Sequence, residues 1–90
     1  MNGTISVNVL YFAVLRERLA RDGETLQLPP DATVGAARAA LAALHPELAP
    51  LLPRVATAVN RTMAPDSERL SDGDELALIP PVAGGCAKGS

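Results

Sequence analysis

The fold of this 90-residue chain is decided by the segment Leu76-Ala77-Leu78-Ile79-Pro80-Pro81-Val82-Ala83-Gly84-Gly85. Its first four residues are apolar and predict a β-strand, whereas Pro80 and Pro81 have no N–H to donate to a neighbouring strand. We therefore expect strand pairing to end at Ile79. The sequence predicts one domain over residues 1–80 and a flexible C-terminal tail over residues 81–90.

The predicted tail has the properties of a segment that enters a second protein. Its two prolines favour an extended polyproline conformation, so little conformational entropy is lost when a partner binds it. At about 3.3 Å per residue, Pro80 to Gly85 could reach roughly 20 Å from the domain. Gly84 and Gly85 lack Cβ atoms, so an enzyme could close around the backbone and reach the carbonyl carbon of Gly85. Gly-Gly alone is common near chain ends, and the prediction depends on the order strand, prolines, spacer and Gly-Gly.

The composition argues against several classes of function. The net charge is −2 and no Lys or Arg cluster is present, so the charge pattern of a nucleic-acid-binding domain is missing. Aromatic residues make up 2% of the chain, so the core must be aliphatic and bases have no stacking platform. A domain this small buries only roughly 60–65% of its unfolded surface, which leaves little room for a deep catalytic pocket. We therefore expect a carrier or binding protein rather than a self-contained enzyme.

The cysteine and histidine content predicts no internal disulfide and no metal site. Cys86 is the single cysteine and His45 is the single histidine, which gives no credible ligand set for zinc or an iron–sulfur cluster. The apolar stretch over residues 7–15 is interrupted by Asn8 and ends at Arg16, so neither a signal peptide nor a membrane segment is predicted. A reducing, cytoplasmic location follows as an expectation.

Hydrophobic periodicity predicts an α+β domain with one main helix. Thr33 is a suitable N-cap for a helix over residues 34–44, and His45 before Pro46 closes it. We expect His45 to be a surface residue at the helix C-terminus rather than a catalytic base. The apolar stripe of this helix consists of Val34, Ala37, Leu41 and Leu44.

Five strands and a second, short helix are predicted around the main helix. The economical way to bury it is a mixed sheet of four to five strands folded over it, a β-grasp (ubiquitin-like) arrangement. The strands are predicted over residues 5–12, 24–28, 55–59, 63–64 and 75–79, and the short helix over residues 13–20.

Acidic residues precede the last strand, and two interpretations are open for them. Ser71-Asp72-Gly73-Asp74 is a strong turn signal. Asp72, Asp74 and Glu75 could alternatively form a metal site. The turn accounts better for Asp72 and Gly73, so we predict that no metal is bound.

Four blocks of sequence, in this order, carry a resemblance to a known family. They are Val9-Leu10-Tyr11-Phe12-Ala13 with Leu15-Arg16-Glu17, Ala58-Val59-Asn60-Arg61-Thr62, Leu70-Ser71-Asp72-Gly73-Asp74-Glu75, and Pro80-Pro81-Val82-Ala83-Gly84-Gly85. The chain resembles the MoaD/ThiS family of ubiquitin-like sulfur carriers, most of all the molybdopterin synthase small subunits. The resemblance covers nearly the whole chain as far as Gly85.

This resemblance implies a function in molybdenum cofactor biosynthesis. An E1-like enzyme would use ATP to adenylate the Gly85 carboxylate, a sulfur donor would convert it to a thiocarboxylate, and the molybdopterin synthase large subunit would take the sulfur. No cofactor would be bound stably. The alternatives are a carrier for thiamine, cysteine or secondary-metabolite biosynthesis, and a ubiquitin-like interaction or modifier domain.

The resemblance also assigns roles to individual residues. Gly85 would carry the sulfur and Gly84 would give access to it. Phe12 and Ile79 are equally compatible with the core, because a strand end cannot be assigned a face from sequence. The residues implied in partner binding are Phe12, Arg16, Met63, Ile79, Pro80, Pro81 and Val82.

In this family the working form must end at the Gly-Gly pair. Residues 86–90 follow Gly85 and so depart from the family pattern. Three explanations are open. A JAMM-type zinc metallopeptidase trims a precursor, Gly89-Ser90 is a cloning scar, or the carrier has become a plain binding module.

Overall fold

The computed structural model describes residues 3–81, which form a five-stranded sheet with two α-helices. The strands are β1 (Ile5–Tyr11), β2 (Gly23–Leu28), β3 (Ala56–Val59), β4 (Thr62–Met63) and β5 (Glu75–Ile79). The helices are α1 (Ala13–Leu19) and α2 (Val34–Leu44), and two short 3₁₀ turns, Pro46–Leu48 and Leu52–Arg54, lead from α2 to β3. The predicted order of strands and helices is confirmed. Most of the predicted tail, from residue 82 onward, lies outside the described residues.

The sheet is mixed, with the strand order β2-β1-β5-β3-β4. Strand β1 pairs antiparallel with β2 and parallel with β5, while β3 pairs antiparallel with both β5 and β4. The last strand therefore lies in the middle of the sheet, and the chain leaves it at Ile79, as the two prolines predict. The predicted mixed sheet over one main helix is confirmed.

The core lies between α2 and one face of the sheet, and it is almost entirely aliphatic. Three residues of the predicted helical stripe, Val34, Ala37 and Leu41, are fully buried against it. Leu44, the fourth, is 56% exposed, so its assignment to the stripe is wrong. Leu44 is the last residue of α2, and its side chain does not pack against the core cluster.

The N-terminal end of α2 is fixed by hydrogen bonds from three directions. Thr33 is the N-cap, as predicted, and its hydroxyl accepts from the Ala36 N–H at 3.2 Å. The backbone carbonyls of Glu68 and Asp66 accept from the first N–H groups of the helix, each at 2.9 Å. These bonds satisfy donors that a helix leaves unpaired at its start. They also join α2 to the segment that follows β4.

Arg38 joins the middle of α2 to the start of β3. Its Nε atom donates to Asp66 at 2.9 Å, and its two terminal nitrogens donate to the carbonyls of Leu52 and Val55. The guanidinium fork matches several acceptors at once, which a lysine ammonium would not. Arg38 therefore holds the main helix, a 3₁₀ turn and the loop after β4 together.

Two turns have the backbone geometry that their residues favour. Asn60 and Arg61 both have positive φ (51° and 73°), the pattern of the two-residue turn that joins antiparallel strands such as β3 and β4. Gly73 has a φ of 86°, which glycine adopts without strain. In the same turn, Asp72 accepts from the Ser6 N–H and Asp74 accepts from the Ser71 N–H, each at 2.7 Å. The carboxylates of Asp72 and Asp74 thus accept hydrogen bonds in and around the turn, in agreement with the turn interpretation.

His45 departs from the expectation of a surface residue. It caps the C-terminal end of α2, but its side chain is only 17% exposed, and Nε2 lies 2.6 Å from Oε2 of Glu24. Tyr11 donates its hydroxyl hydrogen to the same carboxylate, and Arg21 contacts the other carboxylate oxygen at 3.1 Å. Sequence periodicity missed this cluster because its members lie on three different elements and meet only in the folded domain.

Candidate interaction face and tail

The candidate site begins with the side of the sheet that faces away from α2. Val7 and Val9 are buried in the core, so alternation along β1 places Ser6, Asn8 and Leu10 on the opposite face. Strand pairing then defines one row of residues that crosses all five strands on this face. The row is Gly23, Leu10, Ala77, Ala58 and Met63, in spatial order.

A second apolar row lies beside the first, at the end of the sheet where the chain leaves β5. Ile79 pairs with Ala56, and Phe12 follows Tyr11, the partner of Leu78, in extended conformation. Exposure is 46% for Phe12, 39% for Ile79 and 63% for Met63. Phe12 and Ile79 are therefore not core residues, which removes the alternative left open by the sequence. We call the two rows together the apolar face: Gly23, Leu10, Ala77, Ala58, Met63, Phe12, Ile79 and Ala56.

The other half of the same sheet surface is polar and internally hydrogen-bonded. Gln27 donates to the Ser6 hydroxyl at 2.9 Å and accepts from Thr4 at 2.8 Å, and Thr25 lies 3.5 Å from Asn8. These side chains satisfy one another within the domain. The apolar face is thus confined to the half of the sheet from which residues 80–85 continue.

The remaining predicted contact residues are not members of the apolar face. Arg16 is exposed on α1 and lies 3.9 Å from Asp22. Pro80 is buried, whereas Pro81 is exposed. Val82, Gly84 and Gly85 lie outside the described residues. The structure therefore brings Phe12, Met63 and Ile79 together on one surface and leaves their role in binding as a prediction.

Sequence reasoning missed five members of the apolar face, namely Leu10, Gly23, Ala56, Ala58 and Ala77. Leu10 carried a partial signal, because it breaks the alternation of β1. The alanines and Gly23 carried none, because their place depends on strand register. Gly23 pairs with Leu10, and a Cβ atom added there would overlap the carbonyl oxygen of Val9. Glycine therefore allows the close approach of β2 to β1.

Other kinds of site are not built by the described part of the chain. Over residues 3–81, no group of three or more His, Cys, Asp or Glu side chains could hold a metal ion. Within the same range, no helix has the length and hydropathy needed to cross a membrane. The apolar face with the segment that continues from it is accordingly the candidate functional site.

The architecture defines the chain as a ubiquitin-like β-grasp protein. Its fold is similar to that of a Caldiarchaeum subterraneum ubiquitin, with a TM-score of 0.65 and 24% identity over 92% of this chain and 100% of that one. The small archaeal modifier protein 1 from Haloferax volcanii is more similar, with a TM-score of 0.80 and 31% identity over 87% of this chain and 99% of that one.

Sequence comparison places the chain in a family within that class. Residues 9–85 match the ThiS family, and the chain belongs to it. The molybdopterin synthase sulfur carrier subunit of Mycobacterium tuberculosis is 43% identical over 82 residues, which cover 90% of this chain and 99% of that protein. A solved complex of subunits 1 and 2 of the molybdopterin-converting factor from Helicobacter pylori contains a chain that is 27% identical, with a TM-score of 0.62 over 90% of this chain and 100% of that one.

Proposed function

We propose that this protein is a sulfur carrier that acts as the small subunit of a molybdopterin synthase. The observation that carries the proposal is the family match, which extends over residues 9–85 and so includes Gly84-Gly85. The identity of 43% to a sulfur carrier subunit, over nearly the full length of both chains, supports the same assignment. The apolar face supports it too, because it supplies a docking surface next to the strand from which the Gly-Gly segment continues.

The chemistry proposed for Gly85 has two steps. Its carboxylate attacks the α-phosphate of ATP in the active site of an E1-like enzyme, which releases pyrophosphate and leaves an acyl adenylate. A sulfur nucleophile then displaces AMP and gives the thiocarboxylate. Gly84 and Gly85 have no side chains, so the activating enzyme and the large subunit can both reach the reacting carbon.

The sulfur is then passed to the pterin substrate in the large subunit. The thiocarboxylate sulfur forms a bond to a carbon of the pterin precursor as a carbon–oxygen bond there breaks, and water then cleaves the acyl–sulfur bond and restores the Gly85 carboxylate. The large subunit supplies the pocket and the acid–base groups. The small subunit contributes the reacting atom and a surface that holds it in place, which agrees with its lack of room for a deep pocket.

The proposed partners follow from this scheme. A large-subunit partner is supported by the solved H. pylori complex of two converting-factor subunits. Activation requires an E1-like enzyme, and exposure of the Gly85 carboxylate requires that residues 86–90 be removed, for which a JAMM-type peptidase is a suitable class. A cytoplasmic location stays a prediction.

Reconstitution with and without Gly85 tests the proposal. A chain that ends at Gly85 should form molybdopterin when combined with the large subunit, the activating enzyme, ATP, a sulfur source and the pterin precursor. A chain that ends at Gly84 should fold equally well but form no molybdopterin. Its terminal carboxylate lies one residue earlier and would not reach the reacting groups of the two enzymes. Equal product from both chains would contradict the carrier role.

A second candidate function is that of a protein modifier. It is favoured by the 31% identity to the small archaeal modifier protein 1 of H. volcanii. A modifier would leave Gly85 in isopeptide bonds to lysines of other proteins. Mass spectrometry of host proteins for such bonds would separate the two functions.

A further inference from the structure

The permanent positive charges on side chains of residues 1–85 are all carried by arginine. This part of the chain has seven arginines, and the single lysine of the sequence, Lys88, follows the Gly-Gly pair. Lysine is among the commonest residues of soluble domains, so the use of arginine alone is unusual. The seven arginines are Arg16, Arg18, Arg21, Arg38, Arg54, Arg61 and Arg69.

The fold requires arginine at one of these positions. Arg38 donates to Asp66 and to the carbonyls of Leu52 and Val55, a set of acceptors that a lysine ammonium would not match. The other six arginines are exposed. Two of them contact acidic side chains, but a lysine could form the same surface ion pairs, and such pairs contribute little to stability. Stability therefore does not account for arginine at the six exposed positions.

The two residue types differ in their reactivity toward an activated carboxylate. A lysine side chain has a small fraction of free amine at neutral pH, and this amine is a nucleophile. Its attack on the acyl adenylate of Gly85 would form an amide bond, break the acyl–phosphate bond, and release AMP and a proton. A guanidinium group stays protonated and does not compete in this way.

We propose that the use of arginine alone over residues 1–85 protects the carrier from its own activated terminus. The inference rests on the proposed function, which supplies the acyl adenylate. Lys88 lies on the segment that must be removed before Gly85 can be activated. The untrimmed chain thus has a lysine but no free Gly85 carboxylate, whereas the trimmed chain has the carboxylate and no lysine. Trimmed copies are acyl donors only, and they cannot be joined to one another through lysine side chains.

Arg54 is the exposed arginine at which a lysine should be most exposed to the terminus of its own chain. It lies two residues before Ala56, which pairs with Ile79, so it is at the end of the sheet where the chain leaves β5. Gly85 follows Ile79 at a distance of roughly 20 Å when the segment is extended. A side chain at position 54 is therefore within the range of the activated carboxyl group.

Lysine substitution on a chain that ends at Gly85 tests the inference. Arg54→Lys is incubated with the activating enzyme and ATP, without a sulfur source, and the products are analysed by intact mass and peptide mapping. We expect an amide bond between Gly85 and the new amine, either within one chain, with the loss of one water, or between two copies. When a sulfur source is added, this side reaction should lower the yield of thiocarboxylate. The wild type and Arg54→Gln, which removes the guanidinium without adding an amine, should show neither effect.

A variant with lysine at all six exposed positions extends the test to the whole surface. It should form amide-linked dimers and longer chains under the same conditions. Thermal melting verifies the fold of each variant, and ATP–pyrophosphate exchange verifies adenylation.

The outcomes separate this inference from the proposed function. Normal exchange, with no amide product from either lysine variant and a wild-type yield of thiocarboxylate, would overturn the inference alone. A yield that falls equally in Arg54→Gln would assign the effect to the lost guanidinium and would also overturn it. A wild-type chain that supports no exchange would contradict the proposed function, and the inference with it.

Discussion

Glu24 is the residue at which β1, β2 and the end of α2 meet. Burial alone would raise the pKa of this carboxyl group, but the hydrogen bonds from Tyr11 and His45, and the charges of His45 and Arg21, outweigh it and lower the pKa. The contact with Glu24 has the opposite effect on the pKa of the Tyr11 hydroxyl. Burial, and then the hydrogen bond to Glu24, raise the pKa of Tyr11 well above its ordinary value.

These shifts predict how the stability of the domain depends on pH. Because the folded-state pKa of Glu24 lies below its unfolded value of 4.5, the ionised group stabilises the fold above that pH. The stabilisation is lost as the pH falls through the folded-state pKa. Glu24→Gln should therefore lower the free energy of unfolding by about 1–3 kcal/mol at pH 7.

The difference between the wild type and Glu24→Gln should shrink as the pH falls below 4.5 and through the folded-state pKa of Glu24. Denaturant unfolding at several pH values measures it. Glu47→Gln, on an exposed residue of the first 3₁₀ turn, is the matched control. A difference for Glu24→Gln that stays constant over this pH range would mean that the carboxylate is not stabilised by its contacts.

At the residue scale, the sequence could predict the ends of the apolar face but not its middle. Phe12, Met63 and Ile79 were implied in partner binding by the family resemblance, whereas their strand-end positions alone left Phe12 and Ile79 compatible with the core. Ala58 and Ala77 carried no such signal, because an alanine in a strand is compatible with either face. Their neighbours are set by the register between β5 and β3, which no local pattern specifies.

The N-cap of α2 is the clearest case of a local rule at the scale of an element. The Thr33 hydroxyl accepts the Ala36 N–H, and α2 supplies three fully buried residues to the core. Thr33→Ala should reduce the free energy of unfolding by about 1 kcal/mol, because it leaves that N–H without its partner. Thr33→Ser keeps the hydroxyl and should retain most of the stability.

Chemical denaturation of the three proteins checks this expectation. Equal stability of Thr33→Ala and the wild type would show that the bonds from the Asp66 and Glu68 carbonyls are enough to hold the start of the helix. A loss in Thr33→Ser as large as that in Thr33→Ala would assign the effect to the threonine methyl group instead.

Element type could be predicted from sequence, whereas the contacts between elements could not. The strands over residues 5–12 and 75–79 were indicated by their composition and by the prolines. Their parallel pairing in the centre of the sheet, between β2 and β3, joins residues nearly seventy positions apart. Arg38 shows the same limit. In the sequence it is a single charged residue in an alanine-rich helix, yet in the fold it donates to Asp66 and to the carbonyls of Leu52 and Val55.

At the scale of the whole molecule, the domain divides its surface between stability and binding. One side of the sheet holds the core with α2. The other side is half hydrogen-bonded polar surface and half apolar face. Because β5 is central, the chain leaves the sheet beside the apolar face rather than at a distant edge. In the proposed function, docking of the face and delivery of Gly85 would therefore occur in one binding event.

The carrier role can be tested by the intact mass of the protein purified untagged from its own cells. A sulfur carrier should be found as a chain that ends at Gly85, with a fraction heavier by the mass difference between sulfur and oxygen. That fraction should grow when the activating enzyme, ATP and a sulfur source are added. A chain that still ends at Ser90, and gains no sulfur even with these additions, would contradict the carrier role.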